Sequence, residues 1–541
     1  MLIDDLKELQ HRFGFLPEGE LRAYSDRTNT PLYQIQAVVG FYPHFLLEPP
    51  PQVEIKVCLD LACHLRGAGE LHRRLLEVDR PPEQLQVHPC SCLGQCDAAP
   101  AVLVNDVPVR GADTLGIADL AGATLPPIAS PRQRTNVDPY PGPSDYAAWR
   151  ALRSGQNAAT GAIGVLKESG LRGMGGAGFP TGTKWELVRG APGRVKYVVC
   201  NADESEPGTF KDRHILENAP HLVLEGMLLA AEVAGAEEAI LYLRHEYPGP
   251  RVAFAAELER ARAAGLLEGG PRVRIFDSPG GYICGEETAM LEALEGKRSE
   301  PRNKPPFPGT HGLWGRPTLI NNVETFALAT AILIRGAEWY KGQGRNGGIG
   351  PKFLGLSGDV ERPGVYEVPL GLTIREFIDE YGGGMLPGRE LYAVSPGGAS
   401  SGFLPASMAD VALEFRALSL AGSMLGSGAV VAIGQGRCML DLALNLVRFF
   451  KNESCGKCVP CRVGSEKLVA MLQSWTRGEG READLAVLEE LAPAMADASI
   501  CGLGQVAPAP IVSALKYWPD EVLAHVRERR CPAGACPVGD R

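Results

Sequence analysis

Three cysteines spaced C-x2-C-x2-C, Cys455, Cys458 and Cys461 in Glu-Ser-Cys-Gly-Lys-Cys-Val-Pro-Cys-Arg, constrain this chain more than any other feature. Such a run wraps three corners of one inorganic centre and leaves a fourth for a distant thiolate. Cys501, in Ser-Ile-Cys-Gly-Leu-Gly, is the natural fourth ligand. A [4Fe-4S] cubane is the expected occupant, with zinc as the alternative. The 14 cysteines also speak to compartment. The start, MLIDDLKELQHRF, has no basic segment followed by an apolar run, so no secretory signal is legible. A cytoplasmic chain is expected, and there clustered cysteines bind metal rather than pair as disulfides.

A second set lies near the front. Cys58 and Cys63 are spaced C-x4-C after an apolar strand, and Cys92 and Cys96 are spaced C-x3-C in Ser-Cys-Leu-Gly-Gln-Cys. Two loop pairs brought together by a sheet can offer four thiolates to one site, for iron–sulfur or zinc. The spacing departs from the C-x2-C pairs of structural zinc, which favours a [2Fe-2S] cluster. Cys90 is read as a neighbour and not a ligand. Cys200, Cys284 and Cys438 sit in apolar or glycine-rich surroundings, where packing is expected. Cys531 and Cys536, in Cys-Pro-Ala-Gly-Ala-Cys-Pro, could bind metal or sit near a partner's cluster, although a lone pair cannot complete a site by itself.

At 541 residues the chain is too long for one core, and several domains are expected. Helices, a strand at Val53–Val57 and another at Ala101–Val104 suggest a small α/β domain over 1–125, followed by a proline-rich linker at 126–149. Strands and helices alternate over 150–345, as in a doubly wound α/β domain. A small β-plus-helix module follows within 350–425, around Phe353–Gly384. Met439, Leu442, Leu446, Phe449 and Phe450 share one helical face, so 436–541 reads as a helical bundle. No apolar stretch reaches the ~18–20 residues of a membrane span. A net charge of −10 leaves no basic field for nucleic acid.

Residues 171–185, Leu-Arg-Gly-Met-Gly-Gly-Ala-Gly-Phe-Pro-Thr-Gly-Thr-Lys-Trp, place Gly173, Gly175, Gly176 and Gly178 ahead of Lys184. Glycine lets backbone N–H groups approach a phosphate, a helix N-terminus adds a favourable dipole, and Lys184 adds a point charge. The loop is neither G-x-G-x-x-G nor a Walker sequence. Polar clusters abut apolar runs at Cys200-Asn-Ala-Asp-Glu-Ser-Glu206, Tyr282-Ile-Cys-Gly-Glu-Glu-Thr288 and Leu319-Ile-Asn-Asn-Val323. Residues at a strand's C-terminal end face the crevice where open α/β sheets bind ligands. Phe179 and Phe307 could stack on flat rings or serve as core.

The strings RGMGGAGFPTGTKW, NADESEPGTFKDR, YICGEETAMLEALEGKR, KPPFPGTHGLWGRPTLINNVET and ESCGKCVPCR resemble the NADH-binding flavoprotein subunit of respiratory complex I and its relatives. FYPHFLLEP, C-x4-C and CLGQCDAAP resemble the thioredoxin-like [2Fe-2S] subunit of the same enzyme. Here the two are fused, as in the diaphorase (β) subunits of NAD-linked molybdenum or tungsten formate dehydrogenases and NAD-reducing hydrogenases. RGAEWYKGQGRNG and SPGGASSGFLPASMAD are most similar to the formate dehydrogenase branch.

The resemblance implies a multidomain α/β protein with a thioredoxin-like domain, a Rossmann-like FMN/NADH domain, a ubiquitin-like β-grasp insertion and a helical [4Fe-4S] domain. It implies FMN with its phosphate on the Gly173–Gly178 loop near Lys184, and Asn201, Asp203, Asn321 and Asn322 against the ribityl chain or ring. NADH would stack on the flavin, flanked by Phe179 and Phe307, with Glu204, Glu206, Tyr282, Gly285, Glu286, Glu287 and Lys304 nearby. Glu287 resembles the position beside the adenosine ribose, where a carboxylate would repel the extra phosphate of NADP. The implied partners are a molybdenum- or tungsten-containing formate dehydrogenase subunit, or hydrogenase subunits, with further iron–sulfur clusters in a hetero-oligomer. The implied redox group is the flavin, with no catalytic side chain, and the clusters are one [4Fe-4S] and one [2Fe-2S].

Overall fold

The computed structural model describes residues 2–112, 116, 120, 134–155 and 159–538. At its centre lies a parallel sheet in the order Arg272–Ser278, Glu238–Arg244, Tyr197–Ala202, Thr318–Asn322. The strand Glu238–Arg244 is buried along its whole length, as expected for a sheet covered on both faces by helices. From Tyr197–Ala202 the chain winds outward through two strands on one side, and then returns to lay Thr318–Asn322 on the other. The order reverses between these two strands, so a crevice opens at their carboxyl ends.

The thioredoxin-like sheet has the order Leu85–Cys90, Val53–Cys58, Val102–Val104, Val107–Val109, with the first pair parallel and the others antiparallel. Its own small core includes Ile55, Val57, Leu71, Leu75 and Val102. The opening helices Leu2–Phe13, Glu18–Thr28 and Leu32–Val39 pack elsewhere. Ile3, Leu6 and Leu9 join the core that holds Phe276, Met290 and Leu294 of the central domain. The Lys7 ammonium donates to the Asp277 carbonyl, and the Tyr42 hydroxyl donates to the Lys297 carbonyl at 2.6 Å.

Residues 126–133 of the expected linker lie outside the described residues. From 134 to 149 the chain is a packed strap: Val137, Tyr140, Tyr146 and Trp149 are buried, and the Tyr140 hydroxyl donates to Glu225 at 2.6 Å. The prolines hold it extended while aromatic residues anchor it, a combination without periodicity and so read from sequence as a linker.

The β-grasp insertion is a mixed sheet in the order Gly364–Pro369, Pro351–Gly358, Ala429–Gly434, Leu391–Ser395, Leu404–Pro405, whose central pair is parallel. Its helix runs from Ile374 to Tyr381 and widens into a π-turn at Phe377, after a capping box formed by Thr373 and Glu376. The bundle is built on Met439–Asn452, Val459–Thr476, Ala483–Ala498 and Ala509–Tyr517. Leu442, Leu446, Phe449 and Phe450 are buried along one face of its first helix. No described helix is long and apolar enough to cross a membrane.

Candidate functional site

The crevice at the reversal point is lined by side chains that the strand register sets together. Asn201 and Asn322 are direct partners across the two neighbouring strands, as are Cys200 and Asn321. The glycine loop lies against this point, for a Cβ on Gly175 would stand 3.0 Å from the Asn322 Cβ. Gly178 has φ +63°, and a Cβ there would meet the Phe415 ring at 3.1 Å. The loop is held open by the Gly173 N–H donating to the Phe179 carbonyl at 2.8 Å and the Met174 N–H to the Thr325 hydroxyl at 2.9 Å. The helix Thr181–Gly190 starts directly behind it.

Lys184, on that helix, donates to the Ile320 carbonyl at 3.1 Å and makes no ion pair among the described residues. Burial lowers its pKa. A sequestered ammonium without an ion-paired carboxylate, beside a loop crowded at Gly175 and Gly178, fits a phosphate.

The other predicted residues divide. Asn201 donates to the Gly285 carbonyl at 2.8 Å, and a Cβ on Gly285 would lie 2.9 Å from the Asp203 carbonyl oxygen. Asn321 accepts from the Trp185 indole at 2.9 Å. Asn322 caps the helix Val323–Arg335 through Glu324 N–H at 3.0 Å and donates to Asp212. Asp203 accepts from Ser205 and from Ser278 at 2.7 Å, and burial pushes its pKa up to about 6.

Glu204 is turned inward. It accepts from the Asp212 and Arg213 N–H groups at 2.9 to 3.1 Å, capping the helix Lys211–Asn218, and from the Tyr247 hydroxyl at 3.1 Å. Glu206 accepts from the Ser400 N–H at 2.8 Å and so joins the crevice to the β-grasp insertion. Glu286 caps the helix Glu287–Leu294 and pairs with Lys304 at 2.9 Å, while Glu287 pairs with Lys304 at 3.3 Å. The Tyr282 N–H donates to Glu453 at 2.7 Å, and its ring packs on Phe449. Phe179 and Phe307 remain 44% and 58% exposed, which leaves both rings free to take a flat ligand.

Sequence reading missed the support under the loop. Lys211, Asp212, Glu324 and Lys352 form a network with almost no exposure: Lys211 to Asp212 at 2.6 Å, Lys211 to Glu324 at 2.9 Å, and Lys352 to Glu324 at 3.0 Å. The Lys352 ammonium also reaches the Met174 carbonyl in the glycine loop at 3.5 Å. Burial pulls Lys352 down to about 8; it opposes protonation of Lys211 too, but Asp212 and Glu324 outweigh it and raise that pKa. A lysine inside the apolar strand Pro351–Gly358 was the one available signal.

The front cysteines converge. Cys58, Cys63, Cys92 and Cys96 are all buried and free, with Cys92 and Cys96 sulfurs 3.5 Å apart and the Gly94 N–H pointing at Cys92 at 3.5 Å. Cys90 is the strand partner of Cys58 and is only half-buried. Cys455, Cys458, Cys461 and Cys501 line one small cavity with Ile283, Pro301 and Leu503. Four thiols in an apolar cage suit a cluster at each place.

Polar links tie these places to the crevice. Arg244 donates to the carbonyls of Cys92 (2.8 Å) and Glu204, and Arg213 pairs with Asp97 at 2.8 Å. Glu453, two residues before Cys455, accepts from the Ser91 hydroxyl as well as from Tyr282.

One expectation is corrected. Cys438 is not simply packed, and Cys531 and Cys536 are not a lone pair: with His525 they bring four ligand atoms within 4.8 Å of one another. Folding supplies the distant member, Cys438, from 87 residues before His525 and 93 before Cys531. No sequence spacing encodes that.

A family model described as the Nuo51 FMN-binding domain matches residues 166–331, and the NADH-ubiquinone oxidoreductase-F iron–sulfur binding region matches 441–525. The thioredoxin-like [2Fe-2S] ferredoxin matches 1–120 and the SLBB domain 354–404. A second F-type subunit of NADH-quinone oxidoreductase from Rhizobium meliloti is 47% identical over 397 residues, which cover 71% of this chain and 93% of the relative. This chain belongs to the family of F-type NADH-quinone oxidoreductase subunits.

Another family member, the NADP-reducing hydrogenase subunit HndC of Solidesulfovibrio fructosivorans, is 42% identical over 381 residues, or 69% of this chain and 78% of that one. The crystal structure of an NAD+-reducing [NiFe]-hydrogenase in the air-oxidized state superposes with a TM-score of 0.86 at 32% identity, covering 96% of this chain and 93% of that chain. The chain is therefore an NADH dehydrogenase-type oxidoreductase with FMN, NADH, [2Fe-2S] and [4Fe-4S] modules. Its relatives are subunits of larger enzymes.

Proposed function

We propose that this chain is the diaphorase subunit of a cytoplasmic NAD-dependent formate dehydrogenase, passing electrons between a formate-oxidising molybdenum or tungsten subunit and NAD. The observation that carries the diaphorase half is the phosphate cradle at the sheet's reversal point with two four-thiol sets in the same chain, joined through Arg244 and Glu453. A flavin held by the glycine loop and Lys184 would supply the exchange between two-electron chemistry at NADH and one-electron chemistry at iron–sulfur clusters.

The chain's own residues bind and orient. The glycine loop and Lys184 hold the phosphate, Asn201, Asn321 and Asn322 form the floor, and Phe179 and Phe307 flank the entering nicotinamide. Asp203, Glu204 and Glu286 act one layer out, because their oxygens are committed to Ser278, to the helix at Lys211 and to the helix at Glu287. Glu287 discriminates against NADP through its charge, tempered by Lys304. The cysteine sets Cys455/Cys458/Cys461/Cys501 and Cys58/Cys63/Cys92/Cys96 hold the [4Fe-4S] exit cluster and the [2Fe-2S] cluster respectively.

The formate assignment rests on residues 335–347 and 395–410. The second stretch touches the crevice, since Ser400 N–H bonds Glu206 and Gly398 lies beside it. A hydrogenase partner is the second reading, favoured by the near whole-chain match to the NAD+-reducing hydrogenase chain. The test is NAD+ reduction by the complex recovered anaerobically on this tagged chain, with formate and with hydrogen as donors. Formate-dependent NADH is expected, with molybdenum or tungsten present in the complex. Hydrogen-dependent NADH with nickel or a second iron site overturns the formate reading and leaves the diaphorase half intact.

A further inference from the structure

We propose that Arg244, a residue of the central sheet, is a positioning residue that raises the reduction potential of the front [2Fe-2S] cluster. The proposal rests on Cys58, Cys63, Cys92 and Cys96 holding that cluster. Arg244 ends the strand Glu238–Arg244 and is 2% exposed. One of its Nη atoms donates to the Cys92 carbonyl at 2.8 Å, and the other to the Glu204 carbonyl. Its Nε pairs with Glu246 at 3.1 Å, and the guanidinium lies 5.0 Å from the centre of the Tyr247 ring.

The loop Cys92–Asp97, which carries the second cysteine pair, is held from the central domain at four of its six residues. Arg244 holds Cys92. Gly94 has φ +65° and lies on Tyr247, where a Cβ would stand 2.1 Å from the hydroxyl oxygen. Arg213 donates to the Gln95 side chain and to both carboxylate oxygens of Asp97 at 2.8 Å. The Gly94 N–H reaches the Cys92 sulfur at 3.5 Å, a direction set by a backbone conformation that glycine adopts freely. The thioredoxin-like domain thus supplies the four thiols, and a different domain completes their surroundings.

What that domain supplies is positive charge. Reduction adds one electron, and so one negative charge, to a centre already bound by four thiolates. A fixed cation beside the centre favours the reduced form, and burial keeps its field from being screened. A guanidinium stays protonated at any working pH, so the contribution does not titrate away. Glu246 offsets only part of it, because its side chain is the more exposed half of the pair, at 14% against 2%. Arg213 adds a second buried cation on the same loop, with Asp97 as its counter-ion. Arg244 touches the ligand's carbonyl and not the sulfur, so it acts on the cluster through Cys92.

Charge and packing make different predictions for the two halves of the ion pair. If Arg244 acts by its charge, removing the cation lowers the potential and removing the Glu246 carboxylate raises it. If Arg244 and Glu246 only brace the loop, both changes loosen the same contacts and shift the potential in the same direction.

The test is a potentiometric titration of the anaerobically purified, iron-loaded full chain, with dithionite as reductant and the [2Fe-2S] signal followed by electron paramagnetic resonance. Arg244→Gln should lower the reduction equilibrium constant at least tenfold, about 59 mV for one electron. Arg244→Lys keeps the charge and should recover most of that loss, whereas Glu246→Gln should move the midpoint upward. Arg213→Gln leaves Asp97 paired with Arg110 and should lower the midpoint by less than Arg244→Gln does. If Arg244→Gln does not retain its iron, the opposite shifts of Arg213→Gln and Glu246→Gln decide. An unmoved midpoint in the arginine variants with iron complete, or a downward shift in Glu246→Gln as well, overturns the proposal. A wild-type chain without a [2Fe-2S] signal, or a signal that survives Cys96→Ala, overturns the ligand reading and the proposal with it.

Discussion

Lys184 is the sharpest single test of the cradle. Its ammonium bonds one neutral carbonyl, at 3.1 Å, and has no carboxylate partner, so Lys184→Gln removes a charge without stranding an opposite one. The lost interaction is one charge-assisted hydrogen bond to the FMN phosphate, about 1.5–3 kcal/mol, or roughly 10- to 150-fold in dissociation constant. Equilibrium release of flavin, followed by its fluorescence on leaving the protein, measures this directly. The sign with pH is also fixed. Phosphate binding favours protonated Lys184, so affinity is full below its pKa and falls as pH rises through it. Burial lowers that pKa, so the fall begins at lower pH than for an exposed lysine. Lys184→Gln should bind weakly and lack this alkaline fall. Wild-type affinity in the variant, with the alkaline fall still present, would refute phosphate binding at Lys184.

Four further outcomes are expected. Gly175→Ala places a Cβ 3.0 Å from Asn322 Cβ and should weaken FMN binding at least several-fold in the same assay, while folding is retained by circular dichroism. Glu324→Gln leaves the Lys352 ammonium without its carboxylate and weakens the Lys211 pairing, and should cost about 3–5 kcal/mol in urea unfolding followed by flavin release. Burial raises Glu225 from 4.5 to about 7, so its stabilising contribution is complete below pH 4.5 and lost as pH rises through about 7; Glu225→Gln should flatten the pH dependence of thermal stability in that window. Glu287→Gln should raise NADPH use relative to NADH by about fivefold, the ~1 kcal/mol of a half-exposed charge, and an unchanged ratio would place the discrimination elsewhere.

What sequence disclosed and what it hid follow from the range of the interactions. The C-x2-C-x2-C run, the glycine loop and the polar strand ends are local patterns, and the last two lie where an open α/β sheet puts its ligand crevice. The register that makes Asn201 and Asn322 neighbours joins residues 121 apart, yet both asparagines stood out because they ended apolar strands. The resemblance places Glu204 near the nucleotide; its bonds to the first turn of the helix Lys211–Asn218 depend on a bend of the chain that acidity does not encode. The Lys211–Glu324–Lys352 network is assembled wholly by long-range packing, and Cys438 is likewise brought from afar to His525, Cys531 and Cys536. Residues 134–149 read as a spacer because prolines break periodicity, although their aromatic side chains are anchors.

The most direct test of the central claim is electron paramagnetic resonance of the isolated, FMN-loaded chain after anaerobic addition of NADH. Signals from both a [2Fe-2S] and a [4Fe-4S] centre are expected, the latter absent in Cys501→Ser. If dithionite reveals both centres but NADH reduces neither, in a protein shown to hold flavin, the path from nucleotide to clusters is contradicted.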